Sequence, residues 1–242
     1  LPFMIVGTAG STNTGAIDSL DELAQIAGAE KTWFHVDGAY GGLFKLTEEG
    51  NEKLKGIEKA DSVIFDPHKT MALPYGTGAL IVRDGSTLKA LETTTGTYMP
   101  PPIGEDDVGL QIDYSEITPE LSRDFRGLRV WLPLKTFGVG PFKLNLEEKL
   151  RLANWFCSEL KKIEGVEVVA EPQLSIFAIR LKEEYKTDEL LVRMNKKGTL
   201  FLSSCKLDGK MALRFCFLGF RLHYDRLNQA LAEMKEIIHE LK

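Results

Sequence analysis

Short β-branched apolar runs alternate along this chain with longer stretches of helical period. Ser62-Val-Ile-Phe65 is a run of strand type, and Pro67 just beyond it stops further ladder pairing, so His68 and Lys69 are delivered onto a turn at the strand's end. A second strand is expected over 78–83. Upstream, Trp33-Phe-His-Val-Asp37 is another apolar strand, ending in an acid and followed by Gly38-Ala-Tyr-Gly-Gly42. A helical segment over 47–55 separates the two. Strand, helix, strand is the crossover unit of a parallel sheet. The opening residues, Leu1 to Gly7, read as a core strand, and a helix is expected over 19–29 with Asp18 or Ser19 as its N-cap.

From 93 to 120 the periodicity fails. Pro100-Pro-Pro102, Gly104 and the acids Glu105, Asp106 and Asp107 describe a long loop, and loops beyond about 12–15 residues usually carry function or are disordered. Arg123, Arg126 and Arg129 then recur at spacing three, which predicts one helical stripe, with Leu128, Trp131 and Leu132 on the packing side. Phe137-Gly-Val-Gly-Pro141 breaks that helix and marks an expected boundary between domains 1–138 and 139–242. The second domain reads as helix 147–164, strands 166–169 and 175–180, helix 188–197, strands 199–203 and 211–217, and helix 224–241. That mixture implies an α+β layer with an antiparallel sheet.

Two residues change this picture from a fold into a site. Parallel neighbours place their carboxyl ends side by side, where open α/β sheets bind ligands, so Asp37 and Lys69 converge on one pocket. Lys69 is expected among apolar neighbours (Met71, Ala72, Leu73), where desolvation lowers the pKa and frees the amine for Schiff-base chemistry. An acid that keeps a pyridine nitrogen protonated, with a lysine that forms an imine, is the pair that pyridoxal phosphate chemistry requires. The plain alternatives are a snorkelling lysine and a surface salt bridge.

His35-Val-Asp-Gly-Ala-Tyr-Gly-Gly42, Asp66-Pro-His-Lys69 and Ser122-Arg-Asp-Phe-Arg-Gly-Leu-Arg-Val-Trp131 resemble the group II pyridoxal-phosphate decarboxylases, which include the aromatic-amino-acid, histidine and glutamate decarboxylases. The resemblance runs from about Ile5 to the C-terminus. It implies a pyridoxal-phosphate fold type I (aspartate-aminotransferase-like) α/β large domain with a mainly parallel sheet, plus a smaller α+β C-terminal domain. It further implies pyridoxal 5′-phosphate as cofactor and decarboxylation of an L-amino acid to the amine and carbon dioxide, with other fold type I reactions, transamination or carbon-carbon lysis, as the alternative.

Residue by residue, the resemblance makes Lys69 the Schiff-base lysine, Asp37 the partner of the ring nitrogen and Ala39 a residue packing on one ring face. Thr12 falls where the family has a hydroxyl near the ring oxygen, and Asp18 where it has a conformationally important acid. His68 contacts the phosphate or the substrate carboxylate, or is a satisfied turn histidine. Tyr98, in the long loop, is the acid that protonates the substrate's α-carbon, with Tyr114 as rival, and Arg123 lies close to the site. Gly38 and Gly41 leave room for a flat ring or serve close packing. Asp66 stands where many animal members have asparagine, and the aspartate form resembles bacterial members.

Composition narrows the partners. Among 242 residues, 43% hydrophobic and 27% charged, the net charge is −5 with no basic cluster, so no nucleic acid is expected. Neither a transmembrane run nor a signal peptide is read, and Cys157, Cys205 and Cys216 lack metal spacing, so reduced core thiols in the cytoplasm are expected, and no metal. The family's members are about twice as long. A missing N-terminal half is therefore expected as a partner, alongside the amino-acid substrate and a second subunit of a homodimer. A non-catalytic half that needs its N-terminal portion is the reading from another class.

Overall fold

The computed structural model describes residues 1–89, 114 and 117–241. Strands β1 (Met4–Thr8), β2 (Trp33–Asp37) and β3 (Ser62–Phe65) lie side by side in parallel, and β4 (Ala79–Val82) closes the sheet antiparallel to β3. Helix α1 (Leu20–Glu30) links β1 to β2. A 3-10 turn (Gly42–Leu46) and helix α2 (Glu48–Lys53) link β2 to β3, which is the expected crossover. Thr47 starts α2 by accepting the Gly50 N–H at 3.0 Å. Ser19 occupies the N-cap of α1 without a side-chain capping bond, and Asp18, the other expected cap, is engaged elsewhere: its Oδ2 accepts the Thr8 N–H at 2.8 Å.

Helices α3 (Pro67–Thr70) and α4 (Ser86–Lys89) flank β4 in sequence. Helix α5 spans Leu128–Phe137, and this corrects the arginine stripe. Arg123 and Arg126 precede the helix, where turns such as Arg126 N–H to Asp124 O (2.7 Å) govern the backbone, so spacing three does not align them. Leu128, Trp131 and Leu132 are exposed rather than packed, and α5 buries no residue among those described.

Helix α6 (Gly140–Lys161) begins ahead of the expected 147, since Pro141 is tolerated in a first turn while Gly138, at φ 73°, ends α5. Its Leu146 and Leu150 join Phe34, Phe44, Leu174 and Ile176 in one core. Leu152, Phe156 and Leu160 belong to the other, under the second sheet. That sheet is antiparallel in the order β5 (Val166–Ala170), β6 (Ile176–Leu181), β8 (Lys210–Cys216), β7 (Ser203–Leu207). With α6, helices α7 (Glu184–Lys197) and α8 (Tyr224–Glu240) pack over it, centred on Phe177 stacked on Phe215 at 4.7 Å.

The strand expected at 199–203 is not formed. Asn195 accepts the Leu202 N–H (2.8 Å) and donates to Leu202 O (3.0 Å), so a side chain rather than a neighbouring strand satisfies that backbone. Cys157 is buried in α6, and Cys205 and Cys216 are partly buried; all three are free thiols. Among the described residues no helix is long and apolar enough to cross a membrane.

Candidate active site

The carboxyl ends of β1, β2 and β3 lie in register, with Thr8 opposite Asp37 and Asp37 opposite Ile64. The segments beyond them are stitched together by backbone: Gly38 N–H donates to Ile64 O (2.9 Å) and Asp66 N–H to Ala39 O (3.1 Å). Asp37, half-buried, is fixed by the Ala39 N–H on its Oδ1 at 3.0 Å. Among the described residues its Oδ2 has no hydrogen-bond or ion-pair partner.

Gly38 and Gly41 belong to close packing. An added Cβ would stand 2.8 Å from Ile64 O at Gly38 and 1.9 Å from Ala9 O at Gly41, so backbone already fills the room the sequence offered to a ring. Beyond β1, the turn that carries Thr12 is closed by Gly15 N–H on Ser11 O and by the Ser11–Thr14 hydroxyl pair (2.7 Å). Thr12 is exposed there, and its carbonyl accepts from Arg214. Asp18 closes the base of the same loop.

Lys69 corrects the expectation of a dry lysine. Its side chain is 42% exposed, and Nζ lies 2.7 Å from Asp66 Oδ2. The apolar neighbours do not enclose it, because Met71 turns into the core while Ala72, at φ 54°, swings the chain outward. His68 is held by the loop before β4: Nδ1 lies 2.7 Å from Thr77 O, and since a carbonyl only accepts, Nδ1 carries the proton. Its Nε2 faces Asp66 Oδ2 at 3.9 Å, and Tyr75 meets its ring edge-on at 5.2 Å.

His35, in β2, is tied to Ser62 Oγ at 2.7 Å and has a structural role. Arg123 lies over the Tyr114 ring at 5.2 Å, and both are exposed. Tyr98 lies outside the described residues. Sequence reasoning noted Asp66 only as a departure from asparagine and missed it as the partner of Lys69. The acid-to-lysine spacing of three was the available signal.

It also passed over Tyr40, three residues beyond Asp37, whose buried hydroxyl ties this end of β2 to Ser175. A cavity of about 610 Å³ lined by Leu46, Val63, Phe65, Ile81 and Arg83 excludes both Asp37 and Lys69. Its charged groups are spent on structure, as in Lys45–Glu58 and Arg83 to Ala60 O, so the chemistry points to the strand ends.

Residues 1–182 match the family model described as the pyridoxal-dependent decarboxylase conserved domain. The chain is 34% identical to an aromatic-L-amino-acid decarboxylase of Bacillus atrophaeus, over 99% of this chain and 52% of that protein. It is 30% identical to the enzyme of the same name from Cavia porcellus, over 98% and 49%. Of solved structures, Oryza sativa TDC with PLP and tryptamine superposes with a TM-score of 0.89 at 25% identity, over 98% of this chain and 51% of that one. The chain thus spans about half the length of the curated relatives it matches. With Asp37 closing β2, Lys69 in the short helix just beyond its parallel neighbour β3, and the family model covering most of its length, the chain belongs to the pyridoxal-dependent decarboxylase family.

Proposed function

We propose that this chain supplies the lysine and the acid of a pyridoxal 5′-phosphate-dependent decarboxylase that converts an L-amino acid to its amine and carbon dioxide. One observation carries the reading: Asp37 and Lys69 emerge from the carboxyl ends of neighbouring parallel strands whose following segments are bonded to each other. The donor set suits the cofactor. A fixed carboxylate with one oxygen uncommitted fits a protonated ring nitrogen, and a half-exposed primary amine fits an aldehyde carbon.

Bound there, the cofactor supplies the electron sink for the bonding pair left as carbon dioxide departs. Lys69 would hold it through Nζ. Asp37 would keep the ring nitrogen protonated through Oδ2, Ala39 would pack on a ring face and the Thr12 hydroxyl would serve the ring oxygen. With Nδ1–H donating to Thr77 O, His68 would meet the phosphate or the substrate carboxylate through an Nε2–H, as the imidazolium. Tyr98 delivers the proton to the substrate's α-carbon, and Arg123 and Asp18 support the site. The same reading divides the chain at 138/139, sets it in the cytoplasm and makes it a homodimer in which the neighbouring subunit contributes Tyr98.

A second reading, a non-catalytic half completed by an N-terminal portion, is favoured by the sheet's edges. β1 and β4 each pair on one side only among the described residues, and Met4, Val6, Leu80 and Ile81 are exposed there. The deciding experiment adds pyridoxal 5′-phosphate to the chain and to Lys69→Ala. An absorption band that borohydride fixes onto Lys69 and the variant lacks, followed by amine and carbon dioxide from an amino acid, is expected. A keto acid or aldehyde as product overturns decarboxylation, and turnover by the isolated chain eliminates the second reading.

A further inference from the structure

Asp66 occupies the N-cap of α3, yet its side chain makes no capping bond. An aspartate there ordinarily accepts from the second or third N–H of the helix. This one turns away, placing Oδ2 at 2.7 Å from Lys69 Nζ and 3.9 Å from His68 Nε2. Backbone fixes both partners: Asp66 N–H donates to Ala39 O (3.1 Å) and Lys69 N–H to Asp66 O (2.9 Å). Across the carboxylate stands Gly78, where a Cβ would come within 3.1 Å of Asp66 Oδ1, so the glycine leaves the acid its place. Asp66 is the less exposed partner, at 22% against 42%, and so has more to lose from an uncompensated charge.

We propose that Asp66 is the holding residue for the free amine of Lys69. Whenever Nζ has no covalent partner, the Asp66 carboxylate receives it as an ammonium ion and keeps it at the end of β3. This rests on the proposed function only in taking Lys69 as the cofactor lysine. A lysine that has passed the cofactor to a substrate is a free amine that competes to take it back. A carboxylate at 2.7 Å weakens that competition and keeps Nζ aimed at the site. An asparagine at position 66 would offer Nζ a hydrogen bond but no charge, so the charge is what this carboxylate contributes.

The test uses the cofactor-free chain. Lys69 is acetylated with N-acetoxysuccinimide at fixed pH, quantified by peptide mass spectrometry and normalised to exposed Lys31 in the same sample. Asp66→Asn is expected to raise the normalised rate about three-fold, the scale of a half-exposed ion pair. Salt at about 1 M, where screening acts over about 3 Å, moves the unmodified protein the same way and leaves the variant unchanged. Equal rates in both proteins overturn the proposal, and if the variant does not fold, the salt response of the unmodified protein decides alone. Neither arm uses cofactor or turnover. Coupled Lys69 without a cofactor adduct therefore counts against a self-sufficient cofactor site in this chain and leaves this proposal standing, whereas an adduct with uncoupled Lys69 sinks only this one.

Discussion

Tyr40 and Ser175, 135 residues apart, form a closed buried pair: the Ser175 N–H donates to Tyr40 Oη at 2.8 Å, and the two hydroxyls share a bond of 2.9 Å. The pair ties the end of β2, where Asp37 sits, to the entry of β6. Gly10 makes room for the ring, since a Cβ there would stand 2.5 Å from Tyr40 Cδ1. Burial pushes the phenol well above the ordinary tyrosine range, so the bond persists at any working pH. Tyr40→Phe strands a buried N–H at a cost of about 1–3 kcal/mol. The urea midpoint is expected to fall with an unchanged slope, equally at pH 6 and 9.

The framework of the site was legible because it rests on local signals. Apolar runs closed by Asp37 and Pro67, with a helix between, specify parallel neighbours, and the register places Asp37 opposite Ile64. What the sequence hid depends on side chains finding partners. The three arginines have helical spacing, but Arg123 and Arg126 lie in turns before α5 and only Arg129 is within it. Residues 199–202 look like a strand until Asn195 satisfies Leu202. Lys69 looked desolvated because its neighbours are apolar, yet direction rather than composition decides exposure, and α3 turns Nζ towards Asp66 and solvent.

Lys149 is fully buried, with Nζ 2.9 Å from Glu148 Oε2 and 2.5 Å from Leu222 O, while His223 Nδ1 lies 2.8 Å from Glu148 Oε1. Burial alone would raise the Glu148 carboxyl, but the hydrogen bonds of His223 and Lys149 outweigh it and hold it below the usual range. A depressed folded pKa contributes stability above the unfolded value, about 4.3, that is lost as pH falls further. Glu148→Gln leaves Lys149 without its counter-charge and is expected to cost about 2–3 kcal/mol at pH 7. The gap between the urea midpoints of the two proteins should narrow from pH 6 to pH 3, and a constant gap would show that the carboxylate does not compensate Lys149.

Cys157, buried in α6, has its thiol pushed up to about 11, by burial first and then by the Glu171 carboxylate beside it. The thiolate is the reactive form. Iodoacetamide at pH 8 is therefore expected to leave Cys157 unmodified in the folded protein and to label it fully in denaturant, as peptide mass spectrometry would read. Rapid labelling of the folded chain would mean that α6 opens locally.

Two glycines separate packing from flexibility. At Gly41 an added Cβ would fall 1.9 Å from Ala9 O and 2.9 Å from Leu174 Cδ1, so Gly41→Ala forces β1 and the Tyr40 turn apart, at a cost of about 3 kcal/mol or more. At Gly28, inside α1, nothing lies within 4 Å, and alanine there gains about 0.5–1 kcal/mol by helix propensity. Thermal unfolding of the two variants should thus move in opposite directions. A tolerated Gly41→Ala would mean that β1 and this turn are not in contact, and would return to Gly41 the alternative its sequence left open, room for a flat ring beside Asp37.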